Sequence, residues 1–236
     1  MSKPFNFAFS YSRWSQWVKC PAAFKYKNID KLTEPPSPAM EKGRKVHKDC
    51  EEFVLGVQAT LPASMAKFST LAHGLRDVPS GLKKVESQMA FDRDRLPVSW
   101  FGQNAYWRFI WDVGVQSEDG THFDAVDWKT GKAYGSYDQQ MQIFAIPAFW
   151  TIPTLQTFTG HLIYLDSGDS VAVTYNRAQM FGPTGDYNAN DGLQGLWHSN
   201  VAMMEADKTY RPTPSKDACR FCNFHQAKGG PCQEGV

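Results

Sequence analysis

The chain has 236 residues, of which 42% are hydrophobic and 21% charged, a globular mix that excludes disorder or a fibrous repeat and leaves room for one sizeable core. No stretch reaches the roughly 18 uninterrupted apolar residues of a membrane span, and the first residues lack the basic-then-apolar pattern of a secretory signal, so a soluble, cytoplasmic protein with no membrane partner is expected. The formal net charge of +1 excludes attraction of nucleic acid by the field of the whole molecule, so any such binding must come from local basic clusters.

In chain order, Phe9 to Trp17 predicts a helix with a serine available as cap and Trp14, Trp17 and Val18 at helical spacing, ending at Cys20-Pro21. The Pro-rich stretch Glu34 to Pro38 leads to a second helix on which Val46, Cys50, Phe53 and Val54 recur at helical intervals. His47 sits at the edge of that stripe. Lys42, Arg44, Lys45 and Lys48 form one basic cluster and Lys83 with Lys84 another; each reads equally as a solvated face or as a phosphate contact, with Arg44 and Lys45 the residues to reach nucleic acid.

Leu55 to Gly81 gives mixed signals, helical in part. From Lys84 onward Val85, Ser87, Met89 and Phe91 alternate with Glu86, Gln88 and Ala90, the pattern of a strand. Arg108–Gln116 and Phe123–Lys129 are two further strands, and Asp119-Gly120 between them suits an antiparallel hairpin. Beyond Gly131 the spacing predicts a helix over Gln139–Trp150, interrupted near Pro147, and a strand around His161–Leu165. A long loop over Ala178–Gly192 and a last helix over Leu196–Glu205 follow.

Residues two apart in a strand point to one side, so Asp127 and Lys129 project together, following Phe123 and Ala125. On the preceding strand Asp112 shares a face with Ile110 and Gly114, opposite Phe109, Trp111, Val113 and Val115. Carboxylates on strands built for burial need a partner, because each loses several kcal/mol of hydration. Two carboxylates and a lysine at one sheet edge therefore read either as a divalent-cation site with open positions for a phosphate oxygen and a water, or as a plain Asp127–Lys129 ion pair.

Five cysteines, Cys20, Cys50, Cys219, Cys222 and Cys232, suit metal ligation better than a disulfide framework. Cys219-Arg220-Phe221-Cys222 has the spacing of a metal knuckle and Cys232 supplies a third thiolate. The fourth ligand is either Cys20 or His225, the latter giving a zinc set of Cys219, Cys222, His225 and Cys232. Cys50 reads as a small apolar core residue.

Asp112, a hairpin, Asp127-x-Lys129-Thr130-Gly131 and then Gln140-x-x-x-Phe144 resemble, in that order, the catalytic core of the PD-(D/E)xK nuclease superfamily in its RecB-like branch. Gly43-x-x-x-His47 resembles the helical histidine motif of that branch, and Glu86 stands where its members often carry an additional acidic residue. Phe144 departs from the tyrosine common there. The resemblance implies an α/β (α+β) fold with a restriction-endonuclease-like core, in which a mixed central β-sheet is flanked by helices. It also implies one nuclease domain over 1–236, with its catalytic core at 84–165. His47, Asp112 and Asp127 would hold Mg2+ or Mn2+, Lys129 would assist the attacking water, and Gln140 would orient the lysine or the substrate.

Cys20-Pro21 before the core and three cysteines after it resemble the iron-sulfur exonucleases of the CRISPR-adaptation and phage-recombination type. This implies a [4Fe-4S] cluster on Cys20, Cys219, Cys222 and Cys232, with 1–30 and 206–236 together forming a module that packs the C-terminal segment on the N-terminal helix. The activity implied is a metal-dependent DNA exonuclease of a bacterium or phage, hydrolysing phosphodiester bonds in recombination, repair or CRISPR adaptation. It would act on DNA with a free end and beside a helicase or recombination partner. A non-catalytic DNA-binding module and a structure-selective endonuclease are the rival expectations.

Overall fold

The computed structural model describes residues 7–131 and 138–236; residues 1–6 of the expected 1–30 module lie outside them. Its helices are α1 (Tyr11–Lys19), α2 (Pro21–Asn28), α3 (Pro38–Val54), α4 (Ser69–Asp77), α5 (Asp138–Thr151), α6 (Arg177–Phe181), α7 (Gly192–Ala206) and α8 (Lys216–Cys219). The strands are β1 (Lys83–Phe91), β2 (Pro97–Val98), β3 (Trp107–Gln116), β4 (His122–Lys129), β5 (Thr157–Tyr164) and β6 (Asp169–Asn176), in one sheet of order β2-β1-β3-β4-β5-β6. The expected mixed sheet flanked by helices is present. Among the described residues no helix is long and apolar enough to cross a membrane.

The chain divides into two compact units, one of Met1–Pro36, Ala90–Arg108 and His198–Val236 and the other of Ser37–Met89 and Phe109–Trp197. In the second, β3 and β4 pair antiparallel from Val113↔Val126 to Gln116↔Phe123, as the Asp119-Gly120 turn predicts. β4 and β5 pair parallel, which requires a crossover, and α5 supplies it. β5 and β6 are again antiparallel.

α3 forms because Ser37 caps it, accepting the Met40 amide at 3.2 Å, and Pro38 opens its first turn. Its apolar stripe of Val46, Cys50, Phe53 and Val54 packs with Leu75 of α4 against Val113, Val126, Trp128 and Ile163 of the sheet. Burial of each large side chain there contributes about 1.5–3 kcal/mol. α5 covers the other face: its Phe144 carbonyl accepts the Trp111 indole N–H at 3.1 Å, and Met141 lies so close over Gly160 that a Cβ there would overlap the sulfur.

Lys83 contradicts its reading as a free basic residue. Its ammonium donates to Val54 O at 2.9 Å, Leu75 O at 3.0 Å and Arg76 O at 2.7 Å, closing the C-terminal ends of α3 and α4. These carbonyls have no partner within their own helices and carry the negative end of the helix dipole, which is why a lysine is held there.

Two other expectations differ in the structure, and β6 is a strand without a counterpart among them. α5 runs unbroken through Pro147. The strand β6 went unseen because its burial is intermittent, with only Tyr175 fully covered. The expected loop over 178–192 begins as helix α6, where Asn176 accepts the Gln179 amide at 2.9 Å and the Gln179 side chain accepts the Asn176 amide at 2.8 Å.

In the first unit, Phe9 pairs through its backbone with Tyr106 and Arg108, and its ring meets Trp107 at 5.0 Å. The C-terminal segment is fastened to the N-terminal helices at several points. Trp17 donates to Asp207 at 2.9 Å, Thr213 to the Lys19 carbonyl at 2.9 Å, and Tyr26 packs on Phe224 at 5.5 Å.

Candidate metal centre

His47 follows Val46 on α3, so it leaves the buried stripe at its margin and meets Asp112 of β3. Its Nδ1 is 3.3 Å from Asp112 Oδ2. Single ligand atoms of His47, Glu86 and Asp112 all lie within 4.8 Å of one another. The trio expected from resemblance, His47, Asp112 and Asp127, differs from this one: Glu86 joins the group, and Asp127 turns to Lys129 and Gln140.

Two local departures from strand regularity bring these side chains together. Glu86 has φ 45°, in the left-handed region that a glutamate enters at a cost of about 1–3 kcal/mol. The simple alternation expected from Val85 to Phe91 therefore breaks at this residue. On β3, Trp111 and Val113 were expected on one face. Instead Trp111 faces α5 while Val113 faces α3 and α4, and the regular pairing with β4 begins only at Val113. Between them Asp112 Oδ2 accepts the Trp128 amide at 2.7 Å, filling a place that a strand carbonyl would otherwise take.

β4 is regular, and Asp127 and Lys129 project on one side as predicted. Lys129 Nζ lies 2.6 Å from Asp127 Oδ2, an ion pair outside the angular range of a hydrogen bond, and Gln140 donates to Asp127 Oδ1 at 3.2 Å. Asp112 is 8% and Asp127 5% exposed, so both carboxylates are largely desolvated.

The electrostatics show a site short of positive charge. Burial, reinforced by Asp112, pushes the Glu86 carboxyl up to about 7. Burial also lifts Asp127 above the usual carboxylate range, opposed first by Lys129. The hydrogen bond to Asp112 raises His47, against the effect of burial. A divalent cation among these groups would restore the ionised carboxylates and the neutral imidazole together.

An open cleft lined by Gly43, Arg44, His47, Lys48, Glu51 and Glu86 gives access from solvent. Arg44 borders this cleft, whereas Lys45 pairs with Asp49 at 2.8 Å, Lys48 with Glu51 at 3.0 Å and Lys42 with Asp166 at 2.8 Å. Phe144 is buried, and its carbonyl accepts the Trp111 indole N–H.

In the first unit Cys20, which ends α1 and begins α2, lines a single pocket with Cys219, Cys222, Cys232, Tyr26, Phe224 and His225. All four cysteines are free thiols and half-buried. Burial, then the proximity of Cys20, Cys232 and Cys219, raises the Cys222 thiol. Cys50 stands apart in the α3 core, its thiol pushed up to about 12 by burial.

The family model described as PD-(D/E)XK nuclease superfamily matches residues 8–227. No curated protein matches the chain. A solved structure described as "Crystal structure of SSO0001" is similar at 13% identity, over 94% of this chain and 85% of that one, with a TM-score of 0.46.

Proposed function

The chain belongs to the PD-(D/E)XK nuclease superfamily, whose members use divalent metals such as Mg2+ or Mn2+ and act on DNA, and from that premise we propose that it is a DNA exonuclease. The observation that carries this reading is the convergence of His47, Glu86 and Asp112 within 4.8 Å, beside the Asp127–Lys129 pair.

His47, Glu86 and Asp112 would hold the ion, with Asp127 completing its surroundings. When bound, the metal lowers the pKa of a water and neutralises charge on the phosphate. Lys129 holds an ammonium 2.6 Å from Asp127, where it stabilises negative charge developing on a phosphoryl oxygen. Gln140 fixes the Asp127 carboxylate that in turn fixes this lysine. Arg44, on the rim of the cleft, supplies a phosphate contact, and Lys45 a second once released from Asp49.

The same reading assigns a [4Fe-4S] cluster to Cys20, Cys219, Cys222 and Cys232. The four thiols share one pocket, and four thiolates are the usual ligand set of such a cluster. His225 is a poor zinc ligand as placed: its Nδ1 accepts the Ala227 amide at 2.9 Å, and Gly235 packs against Nε2. A [4Fe-4S] cluster joining residues 1–30 to 206–236 would stabilise the first unit directly. Recombination, repair or CRISPR adaptation is the context of this reading, with a separate helicase or recombination protein as partner.

The test is digestion of end-labelled linear DNA with Mn2+, Mg2+ or EDTA by anaerobically purified wild type and Lys129→Ala. Metal-dependent shortening from the ends that the substitution abolishes supports the proposal; equal activity of the two proteins overturns the site. Cleavage of circular single-stranded DNA would replace the exonuclease with a structure-selective endonuclease. Iron and sulfide content, lost in Cys20→Ser, tests the cluster.

A further inference from the structure

The near-neutral total conceals a division of charge. Of 25 lysines and arginines and 24 acidic residues in the chain, Met1–Pro36, Ala90–Arg108 and His198–Val236 hold 14 and 8, leaving 11 and 16 for Ser37–Met89 and Phe109–Trp197. The unit with the metal centre is thus net acidic, whereas the cysteine unit is net basic by 6. A polyanion gains its sequence-independent affinity from cations, and the cysteine unit carries the excess of them.

Within that unit the Cys219-Arg220-Phe221-Cys222 knuckle presents an aromatic ring to solvent. Phe221 is 73% exposed, whereas Phe224, three residues on, is 3% exposed and packs on Tyr26. The Arg220 guanidinium lies over the Phe221 ring, 5.1 Å from its centre. The knuckle backbone is fixed from three sides: Arg220 N–H donates to Lys216 O at 3.0 Å, Cys222 N–H to Cys219 O at 3.1 Å, and the Lys228 ammonium to Arg220 O at 3.0 Å. With the backbone beneath the ring fixed, meeting a flat partner need order only the side chain. Lys216 and Lys228 are both exposed beside it.

We propose that Arg220 and Phe221 form a stacking pad for an unpaired base of single-stranded DNA, with the Arg220, Lys216 and Lys228 cations receiving the adjoining phosphates. An exposed π-face accepts any base whose own face is free, as along a single strand, and each such stack contributes the equivalent of roughly 5- to 150-fold in affinity. The guanidinium adds charge and a cation–π contact in the same place. This inference rests on the reading that the chain acts on DNA, and it concerns binding rather than cleavage.

The test is fluorescence anisotropy of labelled oligo(dT) and of a blunt duplex of the same length, in EDTA, with the full chain carrying whatever metal it purifies with. Phe221→Ala is expected to weaken oligo(dT) binding about tenfold with little effect on the duplex, and Phe221→Trp to restore it. Arg220→Ala is expected to weaken strand binding and to flatten its salt dependence. Equal oligo(dT) affinity for wild type and Phe221→Ala overturns the pad, as does an equal loss for strand and duplex. Where wild type still digests DNA in the Lys129→Ala comparison, either of those results leaves the nuclease reading standing. A wild type that neither digests nor binds DNA overturns both.

Discussion

Asp112 Oδ2 accepts the Trp128 backbone amide at 2.7 Å and lies 3.3 Å from His47 Nδ1, so one oxygen both completes the β3–β4 junction and faces the proposed metal. The two roles separate by substitution. Asp112→Asn keeps an acceptor oxygen for Trp128 and is expected to remain folded, with a melting temperature near wild type but no metal-dependent cleavage. Asp112→Ala leaves the buried amide without a partner and is expected to lose about 1–3 kcal/mol of stability as well. Denaturant melts and the end-labelled DNA assay read these outcomes, and an active Asp112→Asn protein would remove Asp112 from the centre.

Gln140 donates to Asp127 Oδ1 at 3.2 Å, whereas Gln142, two residues on, donates to Asp138 Oδ2 and accepts the Trp197 indole N–H at 3.1 Å. Gln140 therefore positions a group at the site, and Gln142 holds the fold. Gln140→Ala is expected to lower the cleavage rate about 10- to 100-fold, the range of supporting residues around metal ligands, with little change in melting temperature. Gln142→Ala should do the reverse.

Lys83→Met keeps the length of the side chain and removes three hydrogen bonds to carbonyls at the ends of α3 and α4. The expected loss is about 1–3 kcal/mol, or several degrees of melting temperature in a chain of this size. DNA affinity at fixed salt is expected to change little. A large fall in affinity without a fall in stability would return Lys83 to the nucleic-acid surface.

His198 on α7 meets the Trp107 ring at 5.1 Å, and burial, followed by Arg95, lowers its pKa. Its folded pKa lies below its unfolded value of about 6.5. The stability it contributes is therefore whole above that value and is lost as pH falls toward and through the folded one. Melting temperature measured between about pH 8 and pH 5 should drop less for His198→Gln than for wild type. His47, raised by Asp112, gives the opposite slope, so the measurement is the difference between the two proteins; identical slopes would overturn the assignment.

The shared side of Asp127 and Lys129 is legible in the sequence because β4 is regular, its register with β5 unbroken from His122↔Thr157 to Lys129↔Tyr164. Asp112 and Glu86 are legible as residue types but not as geometry. The Glu86 backbone angle and the offset between Trp111 and Val113 are fixed by neighbouring strands and helices far away in sequence, which a period-two pattern cannot contain. The three bonds of Lys83 are hidden for the same reason, since its partners lie 7 to 29 residues away. The four-cysteine pocket is the reverse case: the knuckle spacing is local, but bringing Cys20 to it depends on how the C-terminal segment lies on α1 and α2.

The first unit draws on three stretches of chain, and the whole of the second unit is encoded between the first and last of them. During synthesis the ribosome therefore delivers every residue of the metal centre before it delivers Asp207, Cys219, Cys222, Phe224 or Cys232. Until then Trp17, Tyr26 and Cys20 must wait without their partners, open to oxidation and to other nascent chains. Closure of the first unit should therefore wait on the emergence of His198–Val236, whatever the rate at which the second unit folds.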